Sequence, residues 1–265
     1  MSIYLGAGST AHKMSKLYVG VGGQARQVQK VYVGINGQAR LVYQSGTPLG
    51  NKPVGKKVFF DVDNIRTEWI IVHQGLPGDM YDASCNGTWL LMQDIYERRQ
   101  WDSSNTNDYA NSTIHFYLNS TFLNLFESNI KNAIKQVKIP YRKGHGTSTT
   151  VTSGSNGLSA KIFLLSATET SFSYSYMPRG EGAELAYFKG CADNGSDSKR
   201  VAYLNGSATY WWLRSPGCNI TSKRALVVGS AGTSGDTGCS SSYGIRPALI
   251  LPSTLLVSDD GNVMG

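Results

Sequence analysis

The chain carries Tyr210-Trp-Trp-Leu-Arg-Ser-Pro-Gly217 and, after a gap of 25 residues, Tyr243-Gly-Ile-Arg-Pro-Ala-Leu-Ile-Leu251. Both stretches combine aromatic and aliphatic residues with one arginine, a composition typical of short strands anchored by aromatic side chains. The residues between them are mostly small and polar. The pattern therefore predicts a β-rich frame that holds out a polar display surface.

The residues around this frame predict an α+β fold. Short apolar runs such as Val58-Phe-Phe60, Trp69-Ile-Ile-Val72 and Thr88-Trp-Leu-Leu-Met92 are typical of strands. Asn111-Ser112-Thr113 offers a helix N-cap, and the apolar residues after it recur every four positions on one helical face, at Ile114, Leu118, Phe122 and Phe126. We therefore predict mixed short strands with one or two helices, and we interpret the apolar stripe as core.

The first 43 residues repeat with a period of 14, in copies that begin at Tyr4, Tyr18 and Tyr32. The third copy contains Asn36-Gly37, which supplies the positive φ angles of a two-residue type I′ turn. Each copy therefore predicts a small β-hairpin. Because an isolated hairpin is marginally stable in water, the hairpins must pack on one another, on sister chains or on a larger assembly.

A segment rich in Gly and Pro, Gln44-Ser-Gly-Thr-Pro-Leu-Gly-Asn-Lys-Pro-Val-Gly55, follows the repeats. Such a composition marks a domain boundary. We therefore predict β-hairpin repeats at residues 1–46, a linker at 47–56 and a large domain at 57–265.

The basic character of the chain is confined to its N-terminal region. The formal net charge is +7, and residues 1–66 hold nine Lys or Arg against two acids, which is the whole excess. These cations are spaced apart, so a solvated face or a dock for an acidic protein is favoured over nucleic acid. Hydrophobic residues make up 40% and charged residues 16%, which indicates a folded chain. Neither membrane insertion nor a secretory signal peptide is expected, because the sequence lacks the apolar segments that both require.

The residue types that carry out catalysis or bind metals show no recognisable spacing. The four cysteines, at 85, 191, 218 and 239, form no C-x-x-C motif, so zinc is not expected. A Cys218–Cys239 disulfide and four reduced thiols are both open at this point. The four histidines fall in different segments, and Walker A, G-x-S-x-G and HExxH motifs are absent. We predict no cofactor, no metal site and no enzymatic activity.

The Tyr-Val-Gly-Val/Ile-Asn-Gly-x-Ala-Arg-x-Val units resemble repeats in tail-associated proteins of phages and prophages that infect Firmicutes. The third copy matches closely, the second well and the first weakly. The resemblance implies that residues 1–46 attach the chain to other virion proteins or assemble it into a homo-oligomer. An ordinary small β-meander is the alternative.

Four ordered motifs resemble a domain family of gut Firmicutes and their phages, which has a C-type lectin fold distantly related to the sulfatase-modifying factor domain. The resemblance covers roughly residues 57–257 and depends on Tyr109-Ala-Asn-Ser-Thr-Ile-His-Phe-Tyr-Leu-Asn119, Lys161-Ile-Phe-Leu-Leu-Ser-Ala-Thr-Glu169, Tyr210-Trp-Trp-Leu-Arg-Ser-Pro-Gly217 and Tyr243-Gly-Ile-Arg-Pro-Ala-Leu249. It implies a C-type lectin-like large domain. Some members are targets of diversity-generating retroelements, which implies variable, ligand-facing side chains between Pro216 and Gly244.

The same resemblance implies structural roles for Arg214 and Arg246. A guanidinium offers five fixed donors that can tie loop carbonyls or a carboxylate beneath the surface, and direct ligand contact is the alternative. Trp211 and Trp212 alternate on a strand, so each face receives one indole. We expect one of these structural tryptophans in the core and the other toward the binding surface.

Two activities known in the families that this chain resembles require particular residues. Calcium-dependent sugar binding in C-type lectins uses Glu-Pro-Asn or Gln-Pro-Asp with Trp-Asn-Asp, and these motifs are absent. The sulfatase-modifying relatives oxidise a cysteine with paired thiols and copper, a role that would fall to Cys218 and Cys239. Nothing around them in the sequence forms a copper or nucleophile constellation, so a formylglycine-generating-type thiol oxidase is a minor alternative.

The sequence thus predicts a non-enzymatic receptor-binding protein of a phage or prophage tail, located in the virion. Its receptor is a protein or glycan of the bacterial cell surface, bound through hydroxyls, amides and aromatic rings. A purely structural virion decoration protein is the alternative. The expected ligand-binding residues are Tyr210, Asn219, Thr221, Ser230, Thr233, Ser234, Asp236, Ser240, Ser242 and Tyr243.

Overall fold

The computed structural model describes residues 4–7, 10–13, 17–28, 30–144, 150–172, 180–193, 195–217 and 223–264. Within these residues the chain forms 25 β-strands and two α-helices. The helices are α1 (Thr113–Asn119) and α2 (Ser128–Ala133). No helix in this part of the chain is long and apolar enough to span a membrane.

Each 14-residue repeat forms one antiparallel hairpin. The hairpins are β1 (Tyr4–Ala7) with β2 (Thr10–Lys13), β3 (Tyr18–Val21) with β4 (Gln24–Gln27), and β5 (Lys30–Ile35) with β6 (Gln38–Gln44). Asn36 and Gly37 join the last pair with φ angles of 50° and 77°, the backbone that a type I′ turn requires. Aliphatic and tyrosine side chains of the second and third hairpins are exposed, at Tyr18, Val19, Val21, Tyr32, Val33, Ile35 and Leu41.

The rest of the chain is built of short strands. The first ten are β7 (Thr47–Pro48), β8 (Lys57–Val62), β9 (Ile65–Gly75), β10 (Gly87–Met92), β11 (Glu97–Gln100), β12 (Val137–Ile139), β13 (Tyr141–Arg142), β14 (Val151–Thr152), β15 (Leu158–Ala160) and β16 (Ile162–Phe163). The last nine are β17 (Tyr203–Leu204), β18 (Ser207–Ala208), β19 (Trp211–Pro216), β20 (Arg224–Val228), β21 (Ser234–Gly238), β22 (Ser242–Ile245), β23 (Ala248–Leu251), β24 (Leu256–Val257) and β25 (Val263–Met264).

Two five-stranded sheets form the frame, with strand orders β16-β23-β10-β9-β8 and β11-β22-β19-β20-β21. The stretch Trp211–Pro216 is the central strand of the second sheet. The stretch from Tyr243 to Leu251 supplies β22 to the second sheet and β23 to the first. The second stretch therefore connects the two sheets through consecutive strands.

The core consists of two clusters of buried apolar side chains. Trp69, Trp101 and Trp212 belong to one cluster, and Trp89 and Trp211 belong to the other. Neighbouring residues of a strand project to opposite faces, so Trp211 and Trp212 enter different clusters. Both indoles are fully buried, including the one expected near the binding surface.

The expected α+β fold with a C-type lectin-like large domain is wrong, because the described chain is predominantly β. Its two helices are only seven and six residues long. Ser112 caps α1 by accepting from the His115 N–H, but the helix ends at Asn119. The Asn119 side chain leaves the helix surface to accept from the Lys161 and Ile162 N–H groups at 2.8 and 3.2 Å. The apolar stripe continues in a 3₁₀ turn, Phe122–Leu125, so its four-residue spacing does not reflect one long helix.

The segment predicted as a linker packs against the C-terminal end of the chain. Within it, β7 pairs with β24, which in turn pairs with β25. Leu49 is fully buried, and its N–H donates to the Leu255 carbonyl at 2.7 Å. The large unit therefore begins at about Thr47, some ten residues earlier than the composition indicates.

Candidate functional site

Two predicted tyrosines form an exposed aromatic pair on the second sheet. The rings of Tyr210 and Tyr243 lie 5.7 Å apart, and the Tyr243 ring meets the edge of Trp212 at 5.3 Å. Tyr210 is 44% exposed, Tyr243 is half-buried and Trp212 is fully buried. The three rings thus run from solvent into the core, and the buried indole fixes the position of the outer two.

Arg99 lies beside this pair, opposite Tyr243 in the β11–β22 register. Its guanidinium stacks on the Tyr117 ring, 3.5 Å from the ring centre, and its Nε donates to Glu97 Oε1 at 2.7 Å. The Tyr117 hydroxyl donates to the same carboxylate oxygen at 2.5 Å. Burial and the Glu97 carboxylate raise the pKa of Tyr117, which therefore keeps its proton.

We call Tyr210, Tyr243, Arg99 and Tyr117 the tyrosine–arginine strip. Trp212 contacts two members of the strip. Its ring packs on Tyr243, and its Nε1 donates to the Arg99 carbonyl at 2.8 Å. Sequence reasoning missed Arg99 because its place opposite Tyr243 depends on strand register, and it missed Tyr117 because that residue reaches Arg99 from helix α1. The available signal was the run of charged and polar residues Glu97-Arg-Arg-Gln100 directly before Trp101.

Two predicted serines lie next to the strip on the same sheet. Ser242 is exposed and pairs across the strands with Gln100. The Gln100 side-chain amide donates to the carbonyl of the exposed Ser240 at 2.8 Å. The Ser240 N–H in turn donates to the Asn105 side chain at 3.1 Å. The backbone is therefore pinned while the Ser240 and Ser242 side chains are left at the surface.

Ser230 and Thr233 lie on the turn between β20 and β21, Ser234 is the first residue of β21, and all three are half-buried. The turn closes with the Gly229 N–H donating to the Thr233 carbonyl at 2.7 Å. It borders the strip, because a side chain added at Gly229 would lie 3.5 Å from the Tyr210 ring.

Asp236 is exposed but already paired. Both carboxylate oxygens accept from Arg224, at 2.7 and 3.2 Å, and both side chains are 46% exposed. Asp236 is thus a surface ion-pair member and not a free ligand contact. Two further predicted residues, Asn219 and Thr221, lie outside the described residues, as does Cys218.

Arg214 lies at the centre of a fully buried polar network. Its guanidinium forms a two-pronged pair with Glu169, at 2.5 and 2.7 Å, and donates to the Pro140 and Leu164 carbonyls at 3.1 and 3.0 Å. Glu181 lies 3.6 Å from Arg214 Nε and accepts from the Ser215 hydroxyl. Burial raises the pKa of Glu181, so this second carboxylate resists ionisation beside the Glu169–Arg214 pair.

Arg246 is also buried and joins the two sheets. Its Nε and Nη2 donate to the Met92 and Gln93 carbonyls, both at 2.9 Å, and its guanidinium lies 5.1 Å from the Trp211 ring centre. Burial lowers the pKa of Arg246 to about 10. Arg246 therefore contacts the frame and not the exposed surface.

Arg200 is a third buried arginine, which sequence reasoning missed. It donates to carbonyls of Gly232, Thr170, Ala192 and Gly195, at distances from 2.6 to 3.2 Å. Its guanidinium also stacks on Phe172 at 4.0 Å. One side chain thus ties the turn beside the strip to two other loops, which no local pattern around Arg200 indicates.

A family model described as a domain of unknown function, DUF6273, matches residues 86–253. The match covers more than half of the chain. The chain belongs to the DUF6273 family. No curated protein and no solved structure matches it. The DUF6273 region contains the whole tyrosine–arginine strip and the buried Arg200, Arg214 and Arg246, so the strip and the arginines beneath it lie in one family domain.

Three described side chains of nucleophilic or metal-binding type are buried: Cys85, which directly precedes the DUF6273 region, and His115 and Cys239 within it. Burial raises the pKa of Cys239 to about 12 and that of Cys85 to about 12, and it lowers the pKa of His115 to about 4. Among the described residues, no three His, Cys, Asp or Glu side chains are grouped to hold a metal ion. What the described surface offers is hydrogen bonding, charge and aromatic contact.

Proposed function

We propose that this protein is a non-enzymatic receptor-binding protein of a phage or prophage tail, whose tyrosine–arginine strip contacts the bacterial cell surface. The observation that carries the proposal is the exposed Tyr210, supported by Tyr243 and the buried Trp212. A supported aromatic ring gives a large contact area at low cost in conformational entropy. Tyrosine and arginine are also enriched among the residues that dominate binding energy at interfaces.

The buried arginines support this function by making the surface rigid before binding. Arg200 holds the Gly232 end of the turn that borders Tyr210, and Arg246 holds the segment that precedes β11. A surface that is already ordered loses less entropy when a ligand binds. The frame is therefore suited to present a fixed set of contacts.

The N-terminal hairpins are suited to attachment. They expose aliphatic and tyrosine side chains, and they carry the basic Arg26, Lys30 and Arg40. A two-stranded hairpin with exposed apolar side chains needs a covering surface to be stable. We propose that other tail proteins or sister chains supply this surface.

Retroelement-driven variation of residues 216–244 is part of the same proposal. Ala225, Leu226, Val227 and Val228 in this window are buried, so variation is expected to spare β20. A reverse transcriptase gene near the coding sequence, with an adenine-differing near-copy of these codons, would support it. A genomic neighbourhood without either would contradict it.

A thiol oxidase and a structural decoration protein are the two alternatives to receptor binding. A thiol oxidase is disfavoured, because the raised pKa of Cys239 keeps it as a thiol whereas catalysis needs the thiolate. In a structural decoration protein, the large domain only decorates or caps the virion and binds no receptor. Adsorption of the fluorescently labelled full chain to a panel of Firmicutes strains separates decoration from receptor binding. We expect saturable adsorption to a subset of strains, and a folded chain that adsorbs to none would contradict receptor binding.

A further inference from the structure

A groove beside the strip is large enough for a small ligand. It has a volume of about 450 Å³ and lies along β11, with the start of α1 on its other side. Its lining comprises Glu97, Arg98, Arg99, Gln100, Ser103, Thr113, Ile114 and Ser242. Small-molecule sites in proteins have volumes of about 300–1,000 Å³, so the groove falls within the usual range.

The groove carries one uncompensated positive charge. Glu97 is neutralised by Arg99 at 2.7 Å and accepts a further hydrogen bond from the Tyr117 hydroxyl. Arg98 is exposed and forms no ion pair with any described residue. Its cross-strand neighbour is Gly244, which has no side chain that could pair with the guanidinium. A guanidinium in this position is free to bind a carboxylate with two parallel hydrogen bonds.

The other polar groups of the groove are neutral and have hydrogen-bonding capacity to spare. Gln100 uses its amide nitrogen on the Ser240 carbonyl, so its side-chain oxygen is left as an acceptor. Thr113 Oγ1 accepts from the Ser103 N–H at 3.1 Å, so its hydroxyl hydrogen is left as a donor. The Ser242 hydroxyl is at the surface. Ile114 is the one apolar residue of the lining, and it is almost fully buried.

We propose that this groove binds an acidic saccharide, with the sugar carboxylate on Arg98 and the sugar hydroxyls on Gln100, Thr113 and Ser242. A saccharide is favoured over an acidic peptide because the lining offers no apolar pocket, and protein partners bind mainly through apolar or aromatic anchors. This inference depends on the proposed receptor-binding function and names its ligand class.

The test uses trisaccharides of glucuronic, galacturonic and mannuronic acid. Each is paired with the neutral trisaccharide made by reducing its carboxyl groups. Binding to the full chain is measured by calorimetry at low and at physiological salt. We expect at least one acidic trisaccharide to bind about tenfold or more tightly than its neutral partner. The Arg98→Gln variant should lose this preference, Arg98→Lys should retain part of it, and the matched surface variant Arg66→Gln should retain all of it.

Three results would overturn the inference: no binding of any acidic trisaccharide, equal binding of acidic and neutral partners, or an unchanged preference in Arg98→Gln. Binding of acidic peptides in place of saccharides would overturn it too. Cell adsorption keeps this outcome separate from the proposed function. If wild type and Arg98→Gln adsorb equally to a strain, the saccharide inference fails and receptor binding stands, whereas absent wild-type adsorption removes receptor binding itself.

Discussion

Replacing Arg214 by leucine tests whether the buried ionic network around Arg214 stabilises the two-sheet frame. The variant removes the two hydrogen bonds to Glu169, at 2.5 and 2.7 Å, and those to the Pro140 and Leu164 carbonyls. It leaves Glu169 and Glu181 in the core without the guanidinium. Breaking a buried pair by removing one partner costs about 3–5 kcal/mol, and each stranded carbonyl adds about 1 kcal/mol or more.

We therefore expect Arg214→Leu to lower the free energy of unfolding by at least about 4 kcal/mol, out of a total of about 5–15 kcal/mol for a typical protein. Arg214→Lys retains the charge but not the two-pronged geometry, so it should fall between wild type and Arg214→Leu. The control is Arg224→Leu, which breaks the exposed pair with Asp236. Because both side chains of that pair are 46% exposed, its loss should cost about 0–1 kcal/mol.

Urea unfolding monitored by tryptophan fluorescence measures these changes well, because all five tryptophans are fully buried. At a denaturant slope of about 2–3 kcal/mol per molar, a loss of 4 kcal/mol lowers the midpoint by about 1.5 M. If Arg214→Leu and Arg224→Leu unfold at midpoints within a few tenths molar of each other, the network does not support the frame.

Three further outcomes follow from burial. Burial raises the pKa of Glu181, so the native state holds this proton above the ordinary pKa of glutamate, and wild type loses stability as pH rises above that ordinary pKa. Glu181→Gln should flatten that loss in pH-dependent urea titrations, and an unchanged slope contradicts the assignment. A Cβ at Gly244 would lie 2.7 Å from Ile95 and 2.8 Å from the Tyr210 carbonyl, so Gly244→Ala should lower the free energy of unfolding, measured with urea, by about 1–3 kcal/mol. The control is Gly34→Ala, which should change it little because no atom lies within 4 Å of a Cβ at that position. Burial raises the pKa of the Cys85 and Cys239 thiols to about 12 and that of Cys191 to about 11. Of the four cysteines, at most one should therefore react when native protein is treated with iodoacetamide at pH 8 and the adducts are counted by mass spectrometry. Two or more adducts would show that these thiols are accessible.

Local features of the fold could be predicted from sequence because they depend on neighbouring residues. The Asn36–Gly37 turn follows from the conformational freedom of two adjacent residues, and the opposite directions of Trp211 and Trp212 follow from strand alternation. The Ser112 N-cap was predicted correctly, but the apolar stripe to Phe126 is not one helix. A four-residue spacing does not reveal that the Asn119 side chain accepts hydrogen bonds from Lys161 and Ile162, more than 40 residues away. The α+β, C-type lectin-like fold class was wrong, because the described helices are short and the chain is predominantly β.

The candidate site could be predicted in part. Tyr210, Tyr243, Ser240 and Ser242 do lie at the surface of the second sheet, since they flank its apolar strands. The strip also needs Arg99, whose place opposite Tyr243 is set by a register between residues more than 140 positions apart. Arg214 pairs with Glu169, and Arg200 donates to four backbone carbonyls. Both sets of bonds depend on tertiary contacts that sequence spacing does not reveal.

The most direct test of the proposed receptor-binding surface compares two tyrosines of nearly equal exposure. Tyr210 in the strip is 44% exposed, and Tyr203 on the β17–β18 hairpin is 45% exposed. The affinity of full-length Tyr210→Ala and Tyr203→Ala for an adsorbing strain is measured by flow cytometry, after urea unfolding has shown both to be folded. We expect Tyr210→Ala to bind about 10- to 100-fold more weakly than wild type and Tyr203→Ala to bind like wild type. Equal affinities of the two variants would contradict the assignment of the strip as the binding surface.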